Sequence, residues 1–149
     1  MSGGGPVSRV SRLSGEALLR GTAQGPVIAL DEPLSFWGGF DAATGHVIDR
    51  RHPQCGLCLS GGIVIMTAAR GSSSGSSVLA EAIRIRTAPA AFVVTERDAI
   101  LLVGAMVAFE LYRIACPIVR VTADELALLR GAKTITVDAT GAAATIEFA

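Results

Sequence analysis

The residues best suited to chemistry lie in one run, Arg70-Gly71-Ser72-Ser73-Ser74-Gly75-Ser76-Ser77. The apolar, β-branched stretch Leu59 to Met66 precedes it and reads as a buried strand. The stretch Val78 to Ile85 follows with helical composition. Glycines at 71 and 75 permit tight turns and close approach of the backbone to a ligand. A helix starting near Gly75 directs its free N–H groups at the loop. Those groups and the helix dipole favour a carboxylate or a phosphate. The same field stabilises a serine alkoxide, so that a hydroxyl can act as a base, and Arg70 adds positive charge. The residues also suit a plain turn whose serines cap the helix, and composition alone leaves both readings open. The run is not a Walker loop, because no Gly-x-x-x-x-Gly-Lys occurs, and it is not a nucleophile elbow, because Gly-x-Ser-x-Gly is absent.

A second cluster, His46, His52, Cys55 and Cys58, has the spacing His-x5-His-x2-Cys-x2-Cys. It could form a zinc site or a redox pair. Redox pairs of the thioredoxin type precede a helix, whereas a strand is expected after Cys58. The expected reading is a set of loop residues with no metal ligand among them. Phe36 and Trp37 sit beside paired glycines and suit either a lid or docking surface or a loop anchored by aromatic burial. Glu96, Arg97 and Asp98 read as a solvated turn. Glu110 and Tyr112 read as the exposed end of a buried helix.

These residues need a scaffold, and the 149-residue chain is long enough for one domain with one core. Half of it is hydrophobic and 17% is charged, which argues against disorder. The mean hydropathy is +0.51. The longest apolar run, Ala99 to Phe109, is well short of the roughly 20 residues of a spanning helix, and the N-terminus lacks a signal-peptide pattern. A cytoplasmic protein that hides apolar surface against another subunit is expected. Thirteen basic residues balance thirteen acidic ones, with one Trp and one Tyr, so nucleic-acid binding is not expected. Three cysteines do not suggest a disulfide framework.

Residues 1–12 read as a loose tail and residues 13–149 as the folded domain. Gly15 to Arg20 and Pro26 to Leu30 are strand-like, with Gly21 to Gly25 as a hairpin or tight connection between them. Asp31 to Gly56 is a long loop, a feature often tied to function. Ala91 to Thr95 and Cys116 to Val121 are strands, and Ala99 to Ile114 a helix buried on most of its surface. Thr122 and Glu125 make a capping box for a short helix that Gly131 closes. Lys133 to Asp138 and Ala143 to Phe148 form a terminal hairpin. The order is a mixed α/β domain with β-rich ends.

Several segments together resemble the small subunit of the aconitase X family: Asp31-Glu32-Pro33-Leu34-Ser35-Phe36-Trp37-Gly38-Gly39, Asp41-Ala42-Ala43-Thr44-Gly45, His52-Pro53, Gly71-Ser72-Ser73-Ser74-Gly75-Ser76 and Ala88-Pro89-Ala90-Ala91. The first and fourth are the distinctive pair. Before the serine run the family commonly has Pro and Gly where this chain has Thr67 and Ala69. The resemblance implies the swivelling β/β/α domain of aconitases. It implies a large-subunit partner, in a heterodimer or higher assembly, that holds an iron–sulfur cluster; this chain would hold none of it. The implied reaction is a dehydration in which the cluster iron acts on the leaving hydroxyl. Ser72 is then the proton acceptor, and Arg70, Gly71, Ser73, Ser74, Gly75 and Ser76 surround a small carboxylate substrate. Family members act on cis-3-hydroxy-L-proline, preferred here, or on mevalonate 5-phosphate. A non-catalytic module that binds a small anion is the reading from another class.

Overall fold

The structure, a computed structural model, describes residues 10–149. Nine strands and four helices follow in the order β1 (Ser11–Leu19), β2 (Gly21–Ala29), α1 (Phe36–Gly39), β3 (Phe40–Asp41), β4 (His46–Val47), β5 (Ile63–Ile65), α2 (Gly75–Arg84), β6 (Ala91–Val94), α3 (Ala99–Tyr112), β7 (Ile118–Arg120), α4 (Ala123–Leu129), β8 (Thr134–Ala139) and β9 (Ala143–Phe148). Seven strands close into a barrel in the order β1-β7-β6-β5-β2-β8-β9, while β3 and β4 form a separate ribbon.

Chain order explains the mixed pairing. β5, β6 and β7 are joined through helices and lie parallel. β8 and β9 form the expected antiparallel hairpin, which pairs β2 on one side and β1 on the other. β2 also runs parallel to β5, and β5 and β6 are apolar on both faces because both are covered. Ile63, Ile65, Ala91 and Val93 point into a core shared with β8, β9 and α4. Val64, Phe92, Val94 and Ile118 point into a second core, shared with α2, α3 and the 30–47 segment. The serine run leaves β5 on this second side.

Several expectations change. Gly21 to Gly25 is not a connection but the first half of β2, and Arg20 alone joins the two strands. Those strands do not pair with each other. Gly25 is a strand glycine because a Cβ there would lie 2.5 Å from the Gly61 carbonyl oxygen, a contact between segments distant in sequence. Of the expected tail, residues 1–9 lie outside the described residues, and Ser11 and Arg12 pair with Phe148 and Glu147 in the barrel. The strand within Leu59 to Met66 is only Ile63–Ile65. The long 31–56 segment carries α1 and the β3–β4 ribbon. Thr122 and Glu125 do form a capping box at α4, but the helix ends on Arg130 in right-handed conformation, so Gly131 makes no left-handed cap.

Two further corrections concern the ends and surface of α3. Asp98 is buried rather than solvated. The helix itself is apolar all round but only partly covered, leaving Val103, Met106, Val107, Phe109 and Leu111 exposed. Glu110 and Tyr112 are exposed as expected.

Candidate active site

The serine run forms the first turn of α2, and the backbone bonds there start at Ser72. Its carbonyl accepts the N–H of Gly75 at 2.9 Å, and its hydroxyl oxygen accepts the N–H of Ser74 at 3.1 Å. Ser72 therefore acts as the side-chain cap of the turn, whereas Ser74, the residue before the first regular turn, makes no side-chain cap. The N–H groups of Gly71, Ser72 and Ser73 find no acceptor among the described residues. Residues 71 to 74 are all exposed. The loop thus presents outward-facing donors at the positive end of a ten-residue helix. Ser76 and Ser77 are tied elsewhere: the Ser76 hydroxyl donates to the Ile100 carbonyl at 2.8 Å, and that of Ser77 to the Ser74 carbonyl at 2.8 Å.

The two distinctive sequence segments meet here. Ala69 bridges Leu34 in parallel, and the Arg70 N–H donates to the Leu34 carbonyl at 3.1 Å. Gly71 has φ +96°, and a Cβ there would lie 2.6 Å from Ser35 Oγ. A Cβ on Gly75 would lie 3.4 Å from Phe36 Cβ and 3.6 Å from the Trp37 nitrogen. Phe36 is fully buried, with its ring centroid 5.1 Å from Phe40 and 5.9 Å from Phe92. That aromatic anchor fixes α1 in the core. Trp37, one residue on, is 59% exposed beside the serine turn.

Asp98 supplies the other restraint. One carboxylate oxygen accepts the Leu101 N–H at 3.0 Å, capping α3, and the other accepts the Ala69 N–H at 2.8 Å. The strand leaving β5 is thereby held by Leu34 on one side and Asp98 on the other, immediately before Ser72. Sequence reasoning placed Asp98 in a solvated turn. Its position directly before an apolar helical run was the N-cap signal that marks it.

Arg70 pairs with two carboxylates, Asp49 at 3.6 Å and Glu32 at 4.0 Å. All three side chains are partly exposed, so each pair contributes little to stability. Their effect is on local charge: two acids surround one guanidinium. Neither acid carried a signal in the sequence that linked it to residue 70.

The His/Cys cluster comes together only in part: His46 and Cys58 form an antiparallel bridge. His52 is buried and both ring nitrogens are engaged: Nδ1 accepts the Gln54 N–H at 3.0 Å, which leaves Nε2–H to donate to the Glu32 carbonyl at 2.9 Å. His52 thus braces the loop that carries Glu32. Cys55 and Cys58 are exposed and Cys116 is buried. Burial pushes the Cys116 thiol up to about 12, so it stays protonated. Cluster ligation needs several thiolates facing one point. Among the described residues no group of three His, Cys, Asp or Glu side chains could hold a metal ion. The donor set of the described residues offers no such convergence.

A closed mixed barrel with a serine-rich turn opening a helix beside a buried aromatic loop defines a swivel domain. Residues 12–147 match the aconitase X swivel domain, and the chain belongs to that family. Over 130 residues, 87% of the chain, it is 38% identical to a cis-3-hydroxy-L-proline dehydratase of Hypocrea jecorina, of which it covers only 22%. Over 121 residues, 80% of the chain, it is 38% identical to a phosphomevalonate dehydratase small subunit of Methanothermobacter thermautotrophicus, of which it covers 88%. The chain therefore spans about a fifth of one relative and most of the other. Among solved structures it resembles the holo-form of Thermococcus kodakaraensis aconitase X, with TM-score 0.74 and 30% identity, over 91% of this chain and 98% of that one. No helix among the described residues is long and apolar enough to cross a membrane.

Proposed function

We propose that this chain is the small, swivel-domain subunit of a heteromeric iron–sulfur hydro-lyase, with Ser72 as proton acceptor and cis-3-hydroxy-L-proline as substrate. The observation that carries the reading is the environment of Ser72. Its oxygen already accepts the Ser74 N–H just before the N-terminus of α2, in a turn whose Gly71, Ser72 and Ser73 N–H groups have no acceptor among the described residues. Hydroxyls are poor bases in water, and the Ser74 N–H together with the positive end of α2 favours the anion of this one.

Both candidate substrates are β-hydroxy carboxylates. The Ser72 alkoxide takes the proton from the carbon alpha to the carboxylate and becomes a hydroxyl. The electron pair left behind forms the carbon–carbon double bond as hydroxide leaves the beta carbon. The free N–H groups of Gly71, Ser72 and Ser73 bind the carboxylate. In this reading the group that assists the departing hydroxide is the cluster, held by the large subunit.

The charge beside the turn favours the amino acid. Arg70 with Glu32 and Asp49 sums to one net negative charge, which a zwitterion tolerates better than a phosphate monoester bearing a carboxylate. Mevalonate 5-phosphate is the second reading, supported by the match over most of an archaeal small subunit. The experiment is co-expression with the cluster-bearing large subunit and assay of both substrates. The reconstituted pair should dehydrate cis-3-hydroxy-L-proline, and Ser72→Ala should lower kcat by about 10²–10⁴-fold. Full activity of Ser72→Ala refutes the proton-acceptor role, and turnover by the isolated chain refutes the divided site.

A further inference from the structure

α3 carries an apolar surface that this chain leaves uncovered. Val103, Met106, Val107 and Leu111 follow one another at helical spacing on the outward side and are 41–65% exposed. An apolar helix face of this kind belongs against another surface. Its position is informative. Val103 and Val107 line a groove of about 390 Å³ together with Ser73, Ser74, Ser76 and Ser77. Trp37, 59% exposed, also stands by this turn, its backbone nitrogen 3.6 Å from where a Cβ on Gly75 would lie. Exposed apolar side chains thus border the polar serine turn, which is the layout of a site that a partner seals from water.

Resting on the divided-site reading above, we infer that the α3 face and Trp37 form the docking surface for the cluster-bearing body of the dehydratase. Two observations select that occupant. In the Hypocrea relative the matched stretch is 22% of a longer polypeptide, so a large body accompanies this domain there. The surface is also continuous, through the groove lined by Val103 and Val107, with the serine turn that carries the proposed base. A second copy of this chain would set two serine turns side by side and supply no group for the departing hydroxide.

The test uses the full chain with the large subunit. Met106→Glu and Leu111→Glu place a charge on the surface, while Leu128→Glu, at a 60% exposed position on α4, serves as control. α4 packs with the other core, across the parallel strands. All three variants should unfold at the urea midpoint of the native chain within error. Met106→Glu and Leu111→Glu should raise the Kd for the large subunit at least tenfold, with Leu128→Glu unchanged. Unchanged binding by both α3 variants overturns the inference, as does failure of the native chain to bind the large subunit. A native dimer that Met106→Glu splits without loss of large-subunit binding assigns the face to a second copy and also overturns it. Binding is read without turnover, so an active Ser72→Ala enzyme would sink the proton-acceptor role and leave this result intact.

Discussion

Asp98 offers the sharpest perturbation of the serine turn short of changing the turn itself. Its carboxylate accepts two backbone N–H groups, Leu101 at 3.0 Å and Ala69 at 2.8 Å, and the side chain is buried. Asp98→Ala removes both. Loss of the helix cap costs about 1 kcal/mol. Loss of the bond to Ala69 from a charged acceptor adds about 1.5–3 kcal/mol. Together that is about 3 kcal/mol, a shift of about 1–3 M in urea midpoint for an unfolding slope of about 1–3 kcal/mol/M. Asp98→Asn separates the two parts. Asparagine caps helices as well as aspartate does, so α3 keeps its cap, but the amide nitrogen then faces the Ala69 N–H.

The functional readout follows from the covalent path. Only Arg70 and Gly71 separate Ala69 from Ser72, and the Gly71 N–H has no acceptor among the described residues. Releasing Ala69 lets Ser72 drift, and a misplacement of about 1 Å costs about 10²-fold in rate. Asp98→Asn should therefore lose about 2 kcal/mol in urea titration. In the reconstituted enzyme, at a temperature where the variant stays folded, it should lose more in kcat than in KM. If Asp98→Asn keeps native stability within about 0.5 kcal/mol and native kcat, the carboxylate does not position the turn. If stability falls but kcat stays, Asp98 is structural alone.

Two further outcomes follow from single atoms. Gly71→Ala places a methyl group 2.6 Å from Ser35 Oγ at φ +96°; it should cost about 1–3 kcal/mol in urea stability and depress kcat, whereas Gly56→Ala, in open space, should leave kcat at the native value. Cys116, buried with its thiol pushed from 9.0 up to about 12, is protonated in the fold over a range where the unfolded chain ionises; stability should be unaffected below about pH 9 and fall by about 1.4 kcal/mol per pH unit above it. Cys116→Ala should flatten that alkaline limb, and an unchanged slope in the variant contradicts the assignment.

How much of this was legible in advance depended on the range of the forces involved. The β-α-β-α-β succession, the Thr122–Glu125 capping box and the terminal hairpin are set by local periodicity and capping, and the structure contains them. The start of β2 was misread because Gly21 and Gly25 have turn composition, while the reason for Gly25 is a carbonyl at Gly61. Arg70 was expected to add positive charge to the serine turn. Its two acids come from positions 32 and 49, brought alongside by a loop braced on buried His52. No spacing rule reaches those pairs. Asp98 was within reach, since an acidic residue before an apolar helix is a capping signal, but the second bond to Ala69 depends on how β5 leaves the barrel.

The same distinction bears on why Ser72 stands apart from its neighbours. Composition treats the five serines from 72 to 77 alike. In the fold, Ser76 and Ser77 donate their hydroxyl hydrogens to backbone carbonyls, so their oxygens are committed to helix packing. Ser74 makes no capping bond at all. Ser72 alone uses its oxygen to receive a backbone N–H, at 3.1 Å. For a hydroxyl meant only to cap, this bond is an end in itself. For a hydroxyl that must lose its proton, it is the bond that strengthens as negative charge builds on the oxygen. The cap and the base are one geometry. Stability alone cannot separate them, because Ser72→Ala removes a cap worth about 1 kcal/mol under either reading. Ser72→Gly makes the distinction: glycine is nearly as good at a cap position, so stability should fall by only a few tenths of a kcal/mol. If turnover survives with it, the hydroxyl is a cap; if turnover collapses while the fold holds, the oxygen is chemistry.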